Sequence, residues 1–408
     1  MNIEQLHIEA TTNAKNAVAK FLSDWTAKTG GNEYGEPMYC GFAWVDVKVR
    51  SNSILGKALQ TVGFKKSWQG GVLQLWDPAL GKRAVNNPFW LDGVALEAND
   101  PSLQGGASKV VMDRALPFIE SSVKKQQPFF TVIWFHAPHQ DVVAGPEYLA
   151  QYKQFGESAH YYGVITEMDE QIGRLRAELK RLGVDNNTLI TFTSDNGPES
   201  ENIRAKNPGA GGRMAGSTDD LRGRKRDLYE GGVRVPTLAL WPDNIAAGSV
   251  NNTLSSTLDY LPTINEIVGY KMPDHRPIDG TSILPLLLGK KVKDKRYQRN
   301  KAIPFIAKNK LSLIDGDYKL VTNAHALTKK LAEAELYNLA LDRGETTNIA
   351  ENHPKRVKAM IEQIKKFVLS AKASHNGADY SVKFKRVDEW PVKQISSNNL
   401  QTINGKYL

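Results

Sequence analysis

From about residue 108 onwards, strand-like runs alternate with amphipathic helical segments, and this alternation limits the possible folds more than any other feature of the chain. Apolar residues at helical spacing predict helices over 108–125 and 164–182. Short runs rich in aromatic and β-branched residues predict strands over 128–135, 188–193 and 237–241. Such alternation is typical of an α/β fold with a mainly parallel sheet flanked by helices.

Changes in this pattern divide the chain into four parts. Residues 1–80 are interpreted as a small, unrelated α+β segment of unknown function, and a polar, turn-prone junction separates it from the α/β part at 87–300. Over 301–374, short strands precede an amphipathic helix, so we expect a small C-terminal antiparallel subdomain. Residues 375–408 are polar and are expected to form a loosely ordered tail.

Composition excludes several classes of protein. The 408 residues are 41% hydrophobic and 24% charged, which is ordinary for a globular chain. The single cysteine, Cys40, cannot form an intramolecular disulfide. The longest apolar run, 128–135, is far shorter than the roughly 20 residues that cross a bilayer. Residues 1–10 lack the apolar core of a signal peptide, so no export signal is expected here.

The formal net charge of +9 is compatible with two kinds of partner. Nucleic acids are one kind, but the positive residues are spread thinly and no nucleic-acid-binding signature is found. Anionic sugars or esters are the other, because a basic surface raises the local concentration of an anion. Charge alone does not choose between them.

Polar side chains follow two of the predicted strands. One strand ends in His136 and His139, and the other ends in Asp195 and Asn196. Ligands of open α/β sheets bind beyond the carboxyl ends of the strands, where these residues are expected to lie. An aspartate beside an asparagine can supply oxygen ligands to Ca²⁺, although Asp-Asn-Gly is also a common turn.

The two histidines and a basic loop can likewise each be interpreted as structural or as functional. A histidine can satisfy a backbone carbonyl at a strand end, or it can act as a hydrogen-bond donor or general acid towards an ester oxygen. The segment 223–226, which contains Arg224 and Lys225, is either a solvated loop or an anion-binding loop. In the second case the two side chains bind sulfate or phosphate on a substrate.

Six segments stand out in order along the chain: 128–139, 160–175, 193–198, 221–236, 279–285 and 335–338. Taken together, they resemble the sulfatase family of the alkaline-phosphatase superfamily. The resemblance covers about residues 87–374, whereas residues 1–80 weakly resemble small phage proteins of unknown function. It implies an alkaline-phosphatase-like fold and hydrolysis of a sulfuric ester in a sulfated small molecule or polysaccharide. It implies neither a nucleic-acid nor a membrane partner, and such proteins are commonly periplasmic or secreted.

The resemblance also implies roles for individual residues. Asp195 and Asn196 match two oxygen ligands of the family's Ca²⁺. Lys225 matches a lysine that holds the sulfate group and stabilises the leaving oxygen. His139 matches a histidine placed on the same sulfate, and His136 lies near it as a further catalytic candidate. Such sites stabilise charge that grows on oxygen in the transition state.

Two elements of the family's catalytic centre are not found in this sequence. One is a first strand that ends in two consecutive aspartates. The other is a Cys/Ser-x-Pro-x-Arg motif, whose first residue is oxidised to formylglycine and supplies the nucleophile. Cys40 lacks the required proline and arginine, and Asp219–Asp220 lies far along the chain in a predicted loop. Since loss of a nucleophile commonly costs several orders of magnitude in rate, we expect little or no turnover.

Three alternatives follow from these departures. The chain could be a non-catalytic binder of sulfated glycans that uses His139, Lys225 and the neighbouring arginines. It could be a recombined or truncated gene product without a selected function. A phosphatase or phosphodiesterase of the same superfamily is less favoured, because the Lys225 and His139 contexts resemble sulfatases and no serine or threonine nucleophile is found.

Overall fold

The computed structural model describes residues 100–375 except for 140–141, 157, 200–215, 273–276, 290–298, 308–309 and 324–333. It also describes residue 378 and four two-residue strands that form one antiparallel sheet. These strands are Trp44–Val45 (β1), Trp68–Gln69 (β2), Trp90–Leu91 (β3) and Val94–Ala95 (β4). The rest of the predicted segment 1–80 and almost all of the predicted tail 375–408 lie outside the described residues.

Two long helices form the first core. Helix α1 spans Ala107–Lys124 and helix α3 spans Ser158–Arg181, which confirms both predicted helices, although α3 begins six residues before the expected 164. A short helix, α2 (Pro146–Gln151), precedes α3. Gly183, two residues beyond the last residue of α3, has a φ of +70° that suits glycine and stops the helix. The buried side chains of this core come mainly from α1 and α3: Leu103, Val110, Val111, Met112, Ala115, Ile119, Leu175 and Leu179.

The predicted strand over 128–135 is not observed. This run has only an isolated bridge at residue 133 and no strand ladder. Phe129, Ile133 and Phe135 pack instead against the core formed by α1 and α3. The apolar run therefore reflects burial against helices, because periodicity cannot tell a strand from another buried segment of the same length.

Two short strands form a separate pair. Strands β5 (Ile190–Thr193) and β6 (Thr237–Leu240) confirm the strands predicted at 188–193 and 237–241. They are antiparallel, with Ile190 opposite Leu240. Every ladder among the described residues is antiparallel, so the mainly parallel pairing that we predicted is not seen in this part of the chain. Alternation along a sequence indicates elements but carries no direct information on which strands are neighbours.

The segment between β6 and the C-terminal part is organised around a buried aspartate. It contains helices α5 (Tyr260–Ile267) and α6 (Leu284–Leu288), and a shorter helix, α4 (Glu230–Val233), precedes β6. Asp259 accepts hydrogen bonds from Ser256 N at 2.8 Å, from Thr281 N at 2.9 Å and from Arg299 Nη1 at 2.6 Å. This carboxylate therefore joins the start of α5 to two later turns of the chain.

The C-terminal subdomain is an antiparallel sheet covered by one helix, as predicted. The strand order is β10–β9–β8–β7, in which β7 is Ile303–Ala307, β8 is Lys310–Asp315, β9 is Tyr318–Asn323 and β10 is Glu335–Asn338. Helix α7 (Pro354–His375) follows. Leu311, Leu313, Leu320 and Leu336 lie on the sheet face that packs against Met360 and its neighbours on α7.

The opposite face of this sheet is also buried. Successive side chains of a strand point to opposite faces, so Lys319 lies on the other side from Leu320. There it contacts Glu230 of α4, which belongs to the α/β part. Both faces of β8 and β9 are consequently covered. Within the described residues, no helix is both long enough and apolar enough to traverse a bilayer.

Candidate functional site

The loop after β5 carries the two predicted oxygen ligands. Asn196 Nδ2 donates to Gly197 O at 2.9 Å, and Ser194 Oγ donates to Asn196 O at 3.0 Å, so the loop is a tight, internally bonded turn. Asp195 is exposed, and its carboxylate makes no hydrogen bond or ion pair with any residue that the structure describes. The turn interpretation and the ligand interpretation are therefore compatible: the turn holds the backbone, and the Asp195 carboxylate faces outwards.

Two backbone hydrogen bonds join this loop to the segment that carries Lys225. Gly197 N donates to Gly232 O at 2.9 Å, and Lys225 N donates to Pro198 O at 2.9 Å. We call this junction of 194–198 with 222–232 the clasp. A Cβ atom on Gly197 would lie 1.8 Å from Gly231 O, so only glycine permits the approach of the two loops. The fold thus brings Asp195, Asn196 and Lys225 to one junction.

Within the clasp, the two predicted sulfate-binding cations differ in their contacts. Arg224 Nη1 donates to Glu199 O at 3.1 Å and to Gly216 O at 2.9 Å, which ties together the two ends of the preceding loop. Lys225 is partly exposed, and its ammonium forms no ion pair with the described residues. Lys225 is therefore available to an anion, whereas Arg224 has at least one nitrogen engaged in holding the loop.

The two histidines form a compact turn. His139 N donates to His136 O at 2.8 Å, and the rings are 5.1 Å apart between centroids. The Ala137–Pro138 peptide bond in this turn is cis. His136 is only 2% exposed, while His139 is partly exposed. An external ligand can therefore reach His139 more readily than His136.

Tyr161 of α3 packs against the same small cluster, Val142, Ala144 and Val164, as Ala137 of the histidine turn does. Its hydroxyl is 2.8 Å from the position that a Cβ on Gly216 would occupy, and Pro198 of the clasp lies beside the same position. Burial raises the pKa of the Tyr161 phenol, and the nearby Arg224 guanidinium opposes that rise. Tyr161 thus adjoins a cluster that it shares with the histidine turn and lies near Pro198 of the clasp.

The described residues supply only part of a calcium site. Asp195 and Asn196 offer two neighbouring oxygen donors, whereas Ca²⁺ takes six to eight oxygen ligands. In the described part of the chain, no group of three or more His, Cys, Asp or Glu side chains could hold a metal ion. These residues therefore do not form a complete site, and no metal-dependent step is derived from them.

A polar network that no sequence pattern indicated lies behind the clasp. The Arg222 guanidinium lies 3.9 Å from the centre of the Tyr229 ring and donates to Tyr337 Oη at 2.7 Å. Tyr229 Oη donates to Glu335 at 2.8 Å. Burial, assisted by this bond, raises the pKa of Tyr229 to about 12. Residues 221–236 and 335–338 stood out in the sequence, but nothing in it indicated that they contact each other.

Comparison with protein families shows to which family the chain belongs. A family model described as Sulfatase matches residues 8–270. This chain belongs to the sulfatase family. A second model, the C-terminal region of N-sulphoglucosamine sulphohydrolase, matches residues 223–373. The first match begins inside 1–80, where the sequence analysis found no sulfatase resemblance, and the division of the chain into domains stays a prediction.

Several sulfatases are similar to this sulfatase-family chain in sequence. Mouse (Mus musculus) steryl-sulfatase is 35% identical over 212 residues, which are 52% of this chain and 32% of that protein. A sulfatase of Formosa agariphila is 30% identical over 292 residues, which are 66% of this chain and 49% of that protein. Human arylsulfatase A is 34% identical over 201 residues, or 49% of this chain and 36% of that protein. The chain therefore spans about a third to a half of the length of these relatives.

Solved structures support the predicted fold class. The crystal structure of Ps i-CgsB superposes with a TM-score of 0.57 at 22% identity and covers 73% of this chain and 64% of that chain. A protein solved in complex with its substrate, D-glucosamine-2-N,6-O-disulfate, superposes with a TM-score of 0.52 at 19% identity, over 72% of this chain and 74% of that chain. At such identities the likeness concerns the fold alone, and it confirms the alkaline-phosphatase-like α/β class.

Proposed function

We propose that this sulfatase-family chain binds the sulfate group of a sulfated saccharide or related ester at the clasp, with little or no turnover of its own. The observation that carries the proposal is the pair of backbone hydrogen bonds, Gly197 N to Gly232 O and Lys225 N to Pro198 O, each 2.9 Å long. They hold a cation next to the loop of Asp195 and Asn196. Arylsulfate and sulfated-saccharide chemistry both need such a cation beside the ester oxygens.

Lys225 is the principal sulfate ligand in this proposal. Its ammonium carries a full charge and three donors, and the described residues leave it without an ion-pair partner. His139 of the histidine turn is the proposed second donor to the sulfate. His136 is buried behind it and supports the turn rather than the ligand. The net charge of +9 would also draw a polyanionic saccharide to the surface.

Low turnover follows from the chemistry that the family resemblance implies. A hydrated formylglycine oxygen would attack sulfur, the bond from sulfur to the alcohol oxygen would break, and a proton would pass to the leaving alkoxide. The 408 residues contain no Cys/Ser-x-Pro-x-Arg motif from which that nucleophile is made. Positioning of the sulfate without an attacking oxygen lowers only part of the barrier. Binding is therefore proposed as the property of this chain.

Calorimetric titration with a sulfated oligosaccharide and its desulfated counterpart tests the proposal. We expect measurable binding of the sulfated form only, weaker at higher salt, and a loss of about tenfold or more in Lys225→Ala. Lys365→Ala is the matched control, because Lys365 is also a lysine but pairs with Glu362 on the surface of α7. Equal affinity for both oligosaccharides, or unchanged binding by Lys225→Ala, contradicts the proposal. Rapid hydrolysis of an aryl sulfate contradicts the proposed low turnover.

A calcium titration tests the metal part of the family expectation. Because the described residues form an incomplete site, we expect 1 mM Ca²⁺, about the affinity range of weak extracellular sites, to shift the melting temperature very little. Asp195→Asn should then melt identically with and without the ion. A large calcium-dependent shift that Asp195→Asn removes would show that residues outside the described ones complete the site.

A further inference from the structure

A buried lysine lies between two buried glutamates where the C-terminal sheet meets the clasp. Lys319 Nζ is 2.9 Å from Glu230 Oε1 and 3.0 Å from Glu345 Oε1. The side chain of Lys319 is 0% exposed, and those of the two glutamates are equally shielded from solvent. Arg234 Nη1 is 3.2 Å from Glu230 Oε2, so two positive and two negative groups face each other. We call Lys319, Glu230 and Glu345 the triad.

Stability alone is a weak explanation for the triad. The free-energy cost of removing charged groups from water is roughly as large as their mutual attraction, and well-packed apolar residues often stabilise a core equally well. An ion pair with defined geometry does, however, fix the relative position of the elements that carry it. Positioning of the elements around it therefore explains the triad better than stability does.

The triad is bonded directly to the clasp. Glu345 Oε2 accepts a hydrogen bond of 2.6 Å from Glu230 N, the first residue of α4. The next residue, Gly231, donates from its N to Arg222 O at 2.7 Å. The residue after that, Gly232, accepts the 2.9 Å bond from Gly197 N. A shift of Glu230 would therefore move both segments of the clasp, 194–198 and 222–232.

The triad reaches the clasp from a rigid support. Lys319 is the second residue of β9, a strand that is hydrogen-bonded on both sides, to β8 and to β10. The following residue, Leu320, is buried in the core beneath α7. A second ion pair, from Lys310 of β8 to Asp227 at 2.8 Å, connects the same sheet to the same segment near Lys225. The C-terminal sheet thus holds the segment 222–232 through these two ion pairs and through the hydrogen bonds of Arg222 and Tyr229 to β10.

We infer that Lys319, through Glu230 and Glu345, is a positioning residue that sets where Lys225 stands in the clasp. This rests on the proposed function, because it assigns the triad a role in sulfate binding. Lys319 does not contact the ligand and acts only through the backbone bonds of α4 and the clasp. Through Lys319, the C-terminal sheet would help to set the geometry of the sulfate site.

A double-mutant cycle between Lys319 and Lys225 tests the inference. Lys319→Met keeps the length of the side chain and removes its charge. We expect it to weaken binding of the sulfated oligosaccharide by about fivefold or more in the parent chain and to have no further effect in Lys225→Ala, because coupled residues are not additive. Lys365→Met, on the surface of α7, is the matched control and should change neither the affinity of the parent nor that of Lys225→Ala.

A second variant and a second readout cover the case in which Lys319→Met does not fold. Glu345→Gln removes a charge but keeps an acceptor for Glu230 N, and it should weaken binding by about twofold or more in the parent chain only. Hydrogen exchange at the amides of Gly197 and Lys225, which bridge the clasp, should accelerate in either variant more than exchange at the amides of β8.

Three results would overturn the inference. A folded Lys319→Met or Glu345→Gln that binds like the parent shows that the triad does not position Lys225. An equal loss in the parent and in Lys225→Ala shows that the effect does not pass through Lys225. Amide hydrogen exchange that accelerates equally in the clasp and in β8 shows general destabilisation of the protein instead. Failure of the proposed function gives a different result: the single variant Lys225→Ala then binds the sulfated oligosaccharide as tightly as the parent.

Discussion

The two sheets on either side of the clasp are stabilised in different ways. The C-terminal sheet has four strands, and Leu320 and Leu336 are completely buried beneath α7. The pair β5–β6 has two strands, none of whose residues is buried, and Leu238 is 66% exposed. A two-stranded ribbon has little packing of its own, so the loop bonds at its end matter more to its position.

This contrast explains why the candidate site lies where it does. The loop of Asp195 and Asn196 leaves the poorly covered pair, and the segment of Lys225 rests on the well-covered sheet. The clasp connects the two with backbone hydrogen bonds. Precision at the site therefore depends on the C-terminal sheet, although the ligand-type residues belong to the α/β part.

The largest effect expected from this comparison is on the free energy of unfolding. Leu336→Ala should lower it by about 2–5 kcal/mol, because the truncation leaves a cavity in a closed core. Leu238→Ala on β6 should change it by less than about 0.5 kcal/mol, since that side chain is already in solvent. Urea denaturation of both variants measures the difference. Similar losses of stability at the two positions would contradict the proposed difference between the two sheets.

The next effect concerns the pH dependence of the α/β part. Glu167 of α3 is buried, accepts a hydrogen bond from Lys109 N at 3.3 Å, and burial raises its pKa to about 7 from an ordinary 4.5. The folded state therefore binds the proton more tightly, and this contribution to stability is present below pH 4.5 and is lost as pH rises through 7.

Glu167→Gln mimics the protonated side chain and should remove that loss. Between pH 5 and pH 8, the variant should gain up to about 3 kcal/mol relative to the parent. Urea denaturation at both values measures it, and hydrogen exchange should place the change in α1 and α3 rather than in β8 and β9. Parallel stability curves for the two proteins would contradict the prediction.

A smaller effect is expected when the clasp itself is opened. A Cβ at Gly197 would lie 1.8 Å from Gly231 O, so Gly197→Ala should force the loops apart and cost about 1–3 kcal/mol. Binding of the sulfated oligosaccharide should fall as well. If the variant keeps both parent stability and parent affinity, the clasp does not hold the two regions together.

The smallest effect has the opposite sign. Gly173 lies inside α3 with open space around its missing side chain. Gly173→Ala should stabilise the chain by about 0.5–1 kcal/mol, because alanine loses less backbone entropy in a helix. Thermal unfolding measures the gain, and the same variant serves as the glycine-to-alanine control for Gly197. A decrease in melting temperature would contradict this prediction.

Elements with a strong local pattern were predictable from the sequence. Helices α1 and α3 and strands β5 and β6 were expected close to their observed positions, because helical or strand spacing is set by neighbours along the chain. The short strands and the final helix of the C-terminal subdomain were expected within 301–374. Asp195 and Asn196 were expected directly after a strand, as observed, and Lys225 was expected in a loop. The apolar run 128–135 was misassigned, because burial against helices gives the same composition as burial in a sheet.

Other features depend on contacts between distant residues. Lys319 looks like an ordinary polar position of a strand, and its partner Glu230 is 89 residues away. The direction of the β5–β6 pairing, the approach of Gly197 to Gly231 and the burial of His136 are set in the same way. Local pattern thus specified most of the elements, and the resemblance of six segments indicated the family and the candidate ligands. Folding in three dimensions specified which ligands meet and what supports them, since such contacts depend on packing across the molecule rather than on local pattern.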